Sequence, residues 1–427
     1  MQFRRFNVAF TAIICLNYMS SIVKKLYLFC YIFLSLPFLS AEKFEFLFED
    51  GEGYRINSFV DEDVYFNMKF SHTANITNRI TVDISDVQKT PRPSALYTCN
   101  FMTSEKTTRG KTFSWAKQYP SVFRRDNLGY YEIGKEYFMP VVRNVPIFPD
   151  HDVKPGETWT GEGHEAHDFR TNFHLATPFI VPFEVQYTYV GTVQKDGKMQ
   201  DLITAEYQLY YELPLELIVQ NTEQTSFFPI RTLGTSKQNL YWDRELGNLS
   251  SYDESFTIRL IINNGDIYDF VGTAYAKVTE LKNFNRKKTA EEVQKKLDDL
   301  KLENVVVKET DEGITISLED IHFLPDSAIL VESEKTKLDA IAEILKTYPE
   351  RDLLITGHTA LAGTKAEREQ LSIERADAVA SYLIEKKVRE AHRIFTKGYG
   401  AEQPVAPNDT EKNKAKNRRV EITIIDK

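Results

Sequence analysis

The chain has 427 residues and a formal net charge of −9. This length predicts two or three domains, and the acidic balance argues against nonspecific nucleic-acid binding. Hydrophobic residues make up 42% of the chain and charged residues 27%, as is ordinary for folded proteins. The aromatic content of 12% is high and favours β-strands.

Residues 1–41 are predicted to be a signal peptide. Lys24-Lys25 precede an apolar core from Leu26 to Leu36, and Leu39-Ser40-Ala41 forms a small-residue cleavage site. Residues before Met19 are interpreted as an upstream extension, since Met19 would itself begin a normal signal peptide. An uncleaved anchor built from the two apolar runs of this region is the alternative.

Residues 42–281 are predicted to be β-rich. Phe183, Val185, Tyr187 and Tyr189 alternate with polar residues, and the turn Asp196-Gly197 follows. Alternation broken by such turns is the pattern of β-hairpins. We expect a curved sheet, a sandwich or a half-barrel. A proline-containing break near 146–155 leaves open a division of this region into two units.

Residues 282–310 are predicted to form a helical linker, with a capping box from Thr289 to Glu292. From residue 311 onwards, strand-like and helix-like segments alternate. The helix predicted after the first strand carries Leu338, Ile341, Ala342 and Leu345 on one face and ends before Pro349. This order predicts an α/β domain with a mixed sheet and packed helices.

Within that domain, an apolar strand at 353–355 leads into a polar loop and an amphipathic helix. The loop reads Gly357-His358-Thr359-Ala360-Leu361-Ala362-Gly363, and the helix contains Leu371-Ser372-Ile373-Glu374-Arg375-Ala376. Asn417-Arg418-Arg419 follows near the end of the chain. These motifs resemble those of the OmpA-like domain family over about residues 311–427. In that family the loop reads G-H-T-D-x-x-G and the helix L-S-x-x-R-A.

The resemblance implies binding to the stem peptide of peptidoglycan, at the end of diaminopimelate that carries an ammonium and a carboxylate. In the family an Asp takes the ammonium and an Arg the carboxylate, which a forked guanidinium matches. The resemblance assigns peptidoglycan binding here to Arg375, Thr359 and Asp326. Ala360 stands where the family has that Asp, and Arg368 where it has an Asn. Losing one charge-assisted hydrogen bond weakens binding about ten- to hundred-fold, so weakened or altered binding is expected.

We therefore expect a non-enzymatic cell-envelope protein in the periplasm, associated with the outer membrane. Its OmpA-like domain would face peptidoglycan, and its N-terminal half would bind an unknown envelope protein or lipid. One alternative is an envelope scaffold that no longer binds peptidoglycan. Another is an outer-membrane β-barrel with a periplasmic OmpA-like domain. Runs at 87–93 and 109–117 contain charges or proline and favour a soluble β-domain over a barrel.

Histidines of the N-terminal half are candidate metal ligands. Four of them lie close together in the sequence, namely His151, His164, His167 and His174. Their order is not the HExxH pattern, and no strong helix signal places two imidazoles on one face, so no metal site is predicted. The sequence contains no nucleophile elbow, P-loop or dinucleotide fingerprint, and we predict neither a cofactor nor catalytic residues.

Overall fold

The computed structural model describes residues 41–106, 112–115, 118–280, 286–302, 304–319, 321–324 and 327–426. Nearly all of the expected signal peptide and the predicted site residue Asp326 lie outside these ranges.

The described N-terminal half consists mainly of strands, with two short helices. In chain order they are β1 (Gly53–Phe66), β2 (Lys69–Gln88), β3 (Ser94–Glu105), β4 (Phe113–Ser114), β5 (Gln118–Asp126), β6 (Tyr131–Ile133), β7 (Val142–Arg143), β8 (Thr158–His167), α1 (Arg170–Phe173), β9 (Phe179–Lys195), β10 (Lys198–Glu212), α2 (Leu215–Gln224), β11 (Pro229–Asp243), β12 (Asn248–Ile262) and β13 (Ile267–Glu280). All of these strands except β4 belong to one antiparallel sheet.

This twelve-stranded sheet is nearly closed. Its order is β6-β5-β3-β2-β1-β13-β12-β11-β10-β9-β8-β7, so β6 and β7 are its two edges. The edges lie close together: the backbone N–H of Tyr131 in β6 donates to Oδ1 of Asn144, just after β7, at 2.9 Å. The expectation of a β-rich half with a curved sheet is confirmed. The break near 146–155 lies between β7 and β8, which pair with each other in this sheet.

Side-chain alternation explains why the sheet buries one face. Along β9 the buried residues Val181, Phe183, Val185 and Tyr187 alternate with exposed ones, as the period of two in a strand requires. The turn between β9 and β10 places both Asp196 and Gly197 at positive φ, 51° and 81°. Two such residues suit the tight turn of a twisted hairpin.

The C-terminal half is a mixed six-stranded sheet with helices. Its elements are α3 (Arg286–Asp299), β14 (Val305–Glu309), β15 (Gly313–Glu319), α4 (Glu332–Lys346), β16 (Leu353–Gly357), α5 (Lys365–Glu385), β17 (Ile394–Gly398), α6 (Glu411–Asn417) and β18 (Arg419–Ile425). The sheet order is β14-β15-β18-β16-β17-β4. β16 runs parallel to β17 and antiparallel to β18, which confirms the predicted mixed sheet. In the described part of the chain, no helix is both long and apolar enough to span a membrane.

The expected linker at 282–310 contains both α3 and β14. Val293 and Leu297 of α3 are buried in the same core as Leu338 and Ile355, and β14 pairs with β15. The predicted capping box is misplaced, since α3 begins at Arg286 and Thr289 lies buried inside the helix. A local motif cannot show that packing extends the helix towards its N-terminus.

The two halves are joined by strand pairing. β4 comes from the N-terminal half but pairs in parallel with β17 at the edge of the C-terminal sheet. The N–H of Trp115 continues this pairing by donating to the carbonyl of Thr396 at 2.8 Å. Phe113 packs with Leu354, Phe395 and other residues in a small buried cluster. Main-chain hydrogen bonds and apolar contact therefore hold the halves together.

A buried charge cluster lies at the same boundary. Asp352, just before β16, is 1% exposed and accepts ion pairs from Arg55 of β1 at 3.3 Å and Arg79 of β2 at 3.0 Å. Arg393 pairs with its other oxygen at 2.8 Å. Burial alone would raise the pKa of Asp352, but these three guanidinium groups hold it below its ordinary value. A single carboxylate thus joins the two sheets.

Candidate functional site

The candidate site lies at the loop 357–364, between β16 and α5. Gly357 ends the strand where α5 crosses it, and a Cβ there would lie 1.9 Å from the carbonyl oxygen of Ser372. Glycine is therefore required for this close approach. The helix then starts with a capping box, because Glu367 N–H donates to Thr364 Oγ1 at 3.3 Å and Thr364 N–H donates to the Glu367 carboxylate at 2.8 Å. These contacts fix the loop relative to the helix.

Backbone contacts connect Thr359 to α5. The N–H of Thr359 donates to the carbonyl of Gly400 at 2.8 Å, and the N–H of Gly400 donates to Oγ of Ser372 at 2.9 Å. The Thr359 side chain is buried, yet its Oγ1 has no hydrogen-bond partner within the described part of the chain. Buried hydroxyls are normally paired. This oxygen is a candidate contact for a ligand.

Arg375 lies on α5, one turn beyond Ser372. Its guanidinium carbon is 4.8 Å from the centre of the Phe323 ring. Phe323 is itself held by a bridge to Leu330. Stacking on an aromatic ring orients the planar guanidinium. The half-buried Arg375 is therefore a positioned cation that suits a carboxylate.

The two departures from the family pattern lie on the loop and at the start of α5. Ala360 is buried and offers only a methyl group where a carboxylate is the family's residue. Arg368 folds back over the loop, and its Nη1 donates to the carbonyl of Gly363 at 2.5 Å. A positive charge thus lies beside the loop, which disfavours an ammonium group there.

A buried polar group supports the loop from below. His358 is 1% exposed, its ring stacks on Tyr399, and its Nε2 lies 3.2 Å from Thr356 Oγ1 and 3.6 Å from Glu421 Oε2. Burial lowers the pKa of His358, with Arg419 acting in the same direction and Glu421 opposing it. At neutral pH the imidazole is therefore uncharged.

Glu421 remains charged beneath the site. Burial alone would raise its pKa, but contacts with His358 and Arg419 hold it far below the ordinary value. Nε of Arg419 donates to Oε1 at 2.8 Å, and Lys308 donates to the same oxygen at 3.1 Å. The motif residues quoted from the sequence include Arg419, but the sequence analysis assigned no role to Glu421 or Lys308.

Two asparagines hold the outer side of the loop. Oδ1 of Asn408 accepts from the N–H of Leu361 at 3.0 Å and from Nδ2 of Asn417 at 3.1 Å. Asn417 is fully buried and also accepts from the N–H groups of Val405 and Ala406. Asn417 belongs to a recognised motif, whereas Asn408 carries no sequence signal because its partners are distant in the chain.

Comparisons with known proteins identify the part of the chain that contains this loop. The sequence model of the OmpA family matches residues 322–418. The probable lipoprotein YiaD of Escherichia coli is 37% identical over 128 residues, which are 30% of this chain and 58% of that protein. The peptidoglycan-binding protein ArfA of Mycobacterium tuberculosis is 38% identical over 104 residues, 24% of this chain and 32% of that protein.

Solved structures also show similarity to this chain. The cell wall anchor of the T6SS from Pseudomonas aeruginosa is 29% identical, with a TM-score of 0.28, over 31% of this chain and 96% of that one. The chain spans 58% of the first curated relative and 32% of the second.

Proposed function

We propose that residues 322–418, which match the model of the OmpA family as their motifs predicted, bind peptidoglycan stem peptides in a weakened or altered manner. The protein would be a non-enzymatic component of the cell envelope, in the periplasm and associated with the outer membrane. The names of the relatives, a probable lipoprotein and a peptidoglycan-binding protein, support this proposal.

Arg375 is the residue on which the proposal rests. Its guanidinium is oriented on the Phe323 ring and lies on the helix that contacts the Thr359 loop through Ser372 and Gly400. In this role it donates two hydrogen bonds to the terminal carboxylate of the stem peptide. The buried hydroxyl of Thr359 provides a further contact, and Asp326 is included from the family pattern alone.

The contact with the ammonium group of the ligand is the one expected to be weakened. Ala360 cannot accept a hydrogen bond, and the nearby Arg368 repels a cation. A hydrogen bond to a charged group contributes about 1.5–3 kcal/mol, so its loss weakens binding about ten- to hundred-fold. The domain would therefore prefer a stem peptide that offers a carboxylate without an adjacent ammonium.

The test is a calorimetric titration of the full mature chain with purified stem peptides that end in diaminopimelate. Ala360→Asp is expected to tighten binding about ten-fold or more, since it restores the acceptor for the ammonium. Ala360→Asn has nearly the same size without the charge and serves as the matched control. Equal affinities of the Asp and Asn variants would contradict the lost-acceptor explanation.

Arg375→Ala is expected to weaken binding of the same peptides by a similar factor, because the carboxylate loses its partner. Arg231→Ala makes the same change at an exposed surface pair with Glu212 in the other half and should leave the affinity unchanged. If Arg375→Ala binds like the native protein, Arg375 has no binding role.

The joining of the two halves supports a second candidate function. β4 and the Asp352 cluster fix the C-terminal domain against the large sheet, as a scaffold that presents both halves to an envelope protein or lipid would require. The scaffold function would be favoured if native protein binds no stem peptide or wall fragment and Ala360→Asp also fails to bind.

A further inference from the structure

The concave face of the N-terminal sheet contains a cavity of about 270 Å³. Strands on opposite sides of the curved sheet and the segment 139–145 line it. Its walls are largely apolar and include Ile56, Ile80, Phe101, Leu240, Leu249 and Val278. This volume is near the lower end of the range found for small-molecule pockets.

One cation lines this apolar cavity. Arg125 of β5 is only 6% exposed, and its guanidinium carbon lies 3.5 Å from the centre of the Phe46 ring and 4.8 Å from that of Tyr131. Within the described part of the chain, Nε and Nη2 of Arg125 have no hydrogen-bond partner. The aromatic rings compensate part of the charge through their faces but accept no in-plane hydrogen bonds.

Other buried arginines of this protein have hydrogen-bond partners. Arg143 donates to the carbonyls of Pro140 and Tyr137, and Arg389 donates to Arg351, Leu345 and other carbonyls. Burying a charged group without a partner is costly. Arg55 also has two unpaired nitrogens, but it forms an ion pair with Asp352, whereas Arg125 has no such carboxylate within the described part of the chain.

The acidic residue that lines the cavity already accepts hydrogen bonds from other side chains. Glu254 accepts from Oγ of Ser236 at 2.6 Å and from Nε2 of Gln238 at 3.2 Å. Burial raises the pKa of Glu254, although these two donors oppose the rise. A carboxyl group that is less readily ionised is a poor counterion for Arg125.

We propose that this cavity binds a small amphipathic carboxylate, with the acid group at Arg125 and the apolar part against the walls around Ile80 and Leu240. The forked guanidinium matches a carboxylate through two hydrogen bonds, and the cavity removes the hydrocarbon from water. The carboxylate could come from a membrane-derived acyl chain or from an aromatic acid, which share this chemistry.

The experiment titrates the full mature chain, stripped of bound lipid, with decanoate and with the uncharged decanol of the same chain length. Phenylacetate serves as the aromatic probe. Native protein is expected to bind decanoate, phenylacetate or both at least ~10-fold more tightly than decanol, because only the acids meet the guanidinium. Comparison of the two acids separates the two sources.

Arg125→Gln is expected to remove this preference and weaken acid binding by ~10-fold or more. Arg124→Gln is the matched control. Arg124 immediately precedes Arg125 in the strand and pairs with Asp86 rather than lining the cavity. Thermal unfolding of the unliganded variants shows whether each is folded. We expect Arg125→Gln to be at least as stable as native protein, because an unsatisfied buried charge is removed.

Ala276→Leu fills part of the cavity and is expected to weaken binding of both acids and decanol. The proposal is overturned if native protein binds neither acid, if it binds decanol as tightly as the acid that it binds best, or if folded Arg125→Gln retains the native affinity for that acid. If ordered water is the partner of Arg125 instead of an acid, native protein will bind neither acid, which is the first of these results.

Discussion

The 357–364 loop packs on one buried imidazole, that of His358. His358 is uncharged in the folded protein because burial lowers its pKa, while the same group in the unfolded chain titrates at its ordinary value of 6.5. Below that value the unfolded chain binds a proton that the folded protein does not. Folding stability therefore falls as the pH decreases from 6.5 towards the folded-state pKa.

This gives a prediction for His358→Gln. The amide stays neutral, so the variant should lose less stability than native protein between pH 7.5 and pH 5.5. Urea unfolding at both pH values measures the difference. His72→Gln, on an exposed part of β2, is the control and should retain the native pH dependence. An unchanged pH dependence in His358→Gln would show that this imidazole is not the titrating group.

At the residue scale, the burial pattern of β5 contains a signal for Arg125. Ser121 and Phe123 of β5 point into the sheet, and Arg125 continues the same buried row two residues later. A charge within an inward-facing row is unusual in a strand. The pattern can show that Arg125 faces inward, but only the folded sheet shows that its nitrogens find no partner.

Among the elements, α5 determines where the site lies. Its N-terminal cap was not predicted, although Thr364 and Glu367 have the spacing of a capping box. We expect Thr364→Ala to reduce the free energy of unfolding by about 1 kcal/mol. Urea denaturation measures this, and Thr364→Ser should retain most of the stability because it keeps the hydroxyl. A larger loss in the Ser variant than in the Ala variant would rule out capping as the cause.

β4 is the element that sequence analysis could not have found. It has two residues, Phe113 and Ser114. It lies within the run 109–117, whose charges favoured a soluble β-domain over a barrel. Its partner β17 lies in the other half of the chain. A strand this short has no measurable alternation, so pairing and the packing of Trp115 on Phe395 decide its conformation.

For the whole molecule, Asp352 is the main electrostatic connection between the halves. Asp352→Asn leaves Arg55, Arg79 and Arg393 without their shared anion, and we expect a loss of about 3–5 kcal/mol. Urea unfolding followed by tryptophan fluorescence and circular dichroism should show coincident transitions for native protein and separate ones for the variant. Asp339→Asn, at an exposed pair with Lys386, is the control and should change little.

The same cluster predicts the acid sensitivity of the native protein. The pKa of Asp352 is lowered from its ordinary value of 3.8, so its stabilising effect is complete above that value and is lost as the pH falls through the folded-state pKa. Asp352→Asn should lack this contribution to acid unfolding. Separate unfolding transitions of the two halves in native protein at neutral pH would contradict a joining role for the cluster.

The sequence by itself determined the features that depend on local pattern. Alternation and turns such as Asp196-Gly197 predicted the β-rich half, and the spacing of Gly357, Ser372 and Arg375 identified the OmpA-like domain. Side-chain alternation, turn residues and motif spacing depend on residues that are close in the sequence. These features can therefore be recognised without knowledge of distant contacts.

The tertiary structure decided the rest. It brought the sheet edges β6 and β7 close together, joined the halves through β4 and Asp352, and placed Arg125 in the wall of an apolar cavity. For β4 and Asp352 the partners lie in the other half of the chain, far away in sequence. Their energies arise from burial and charge pairing, which exist only after distant segments have been brought together.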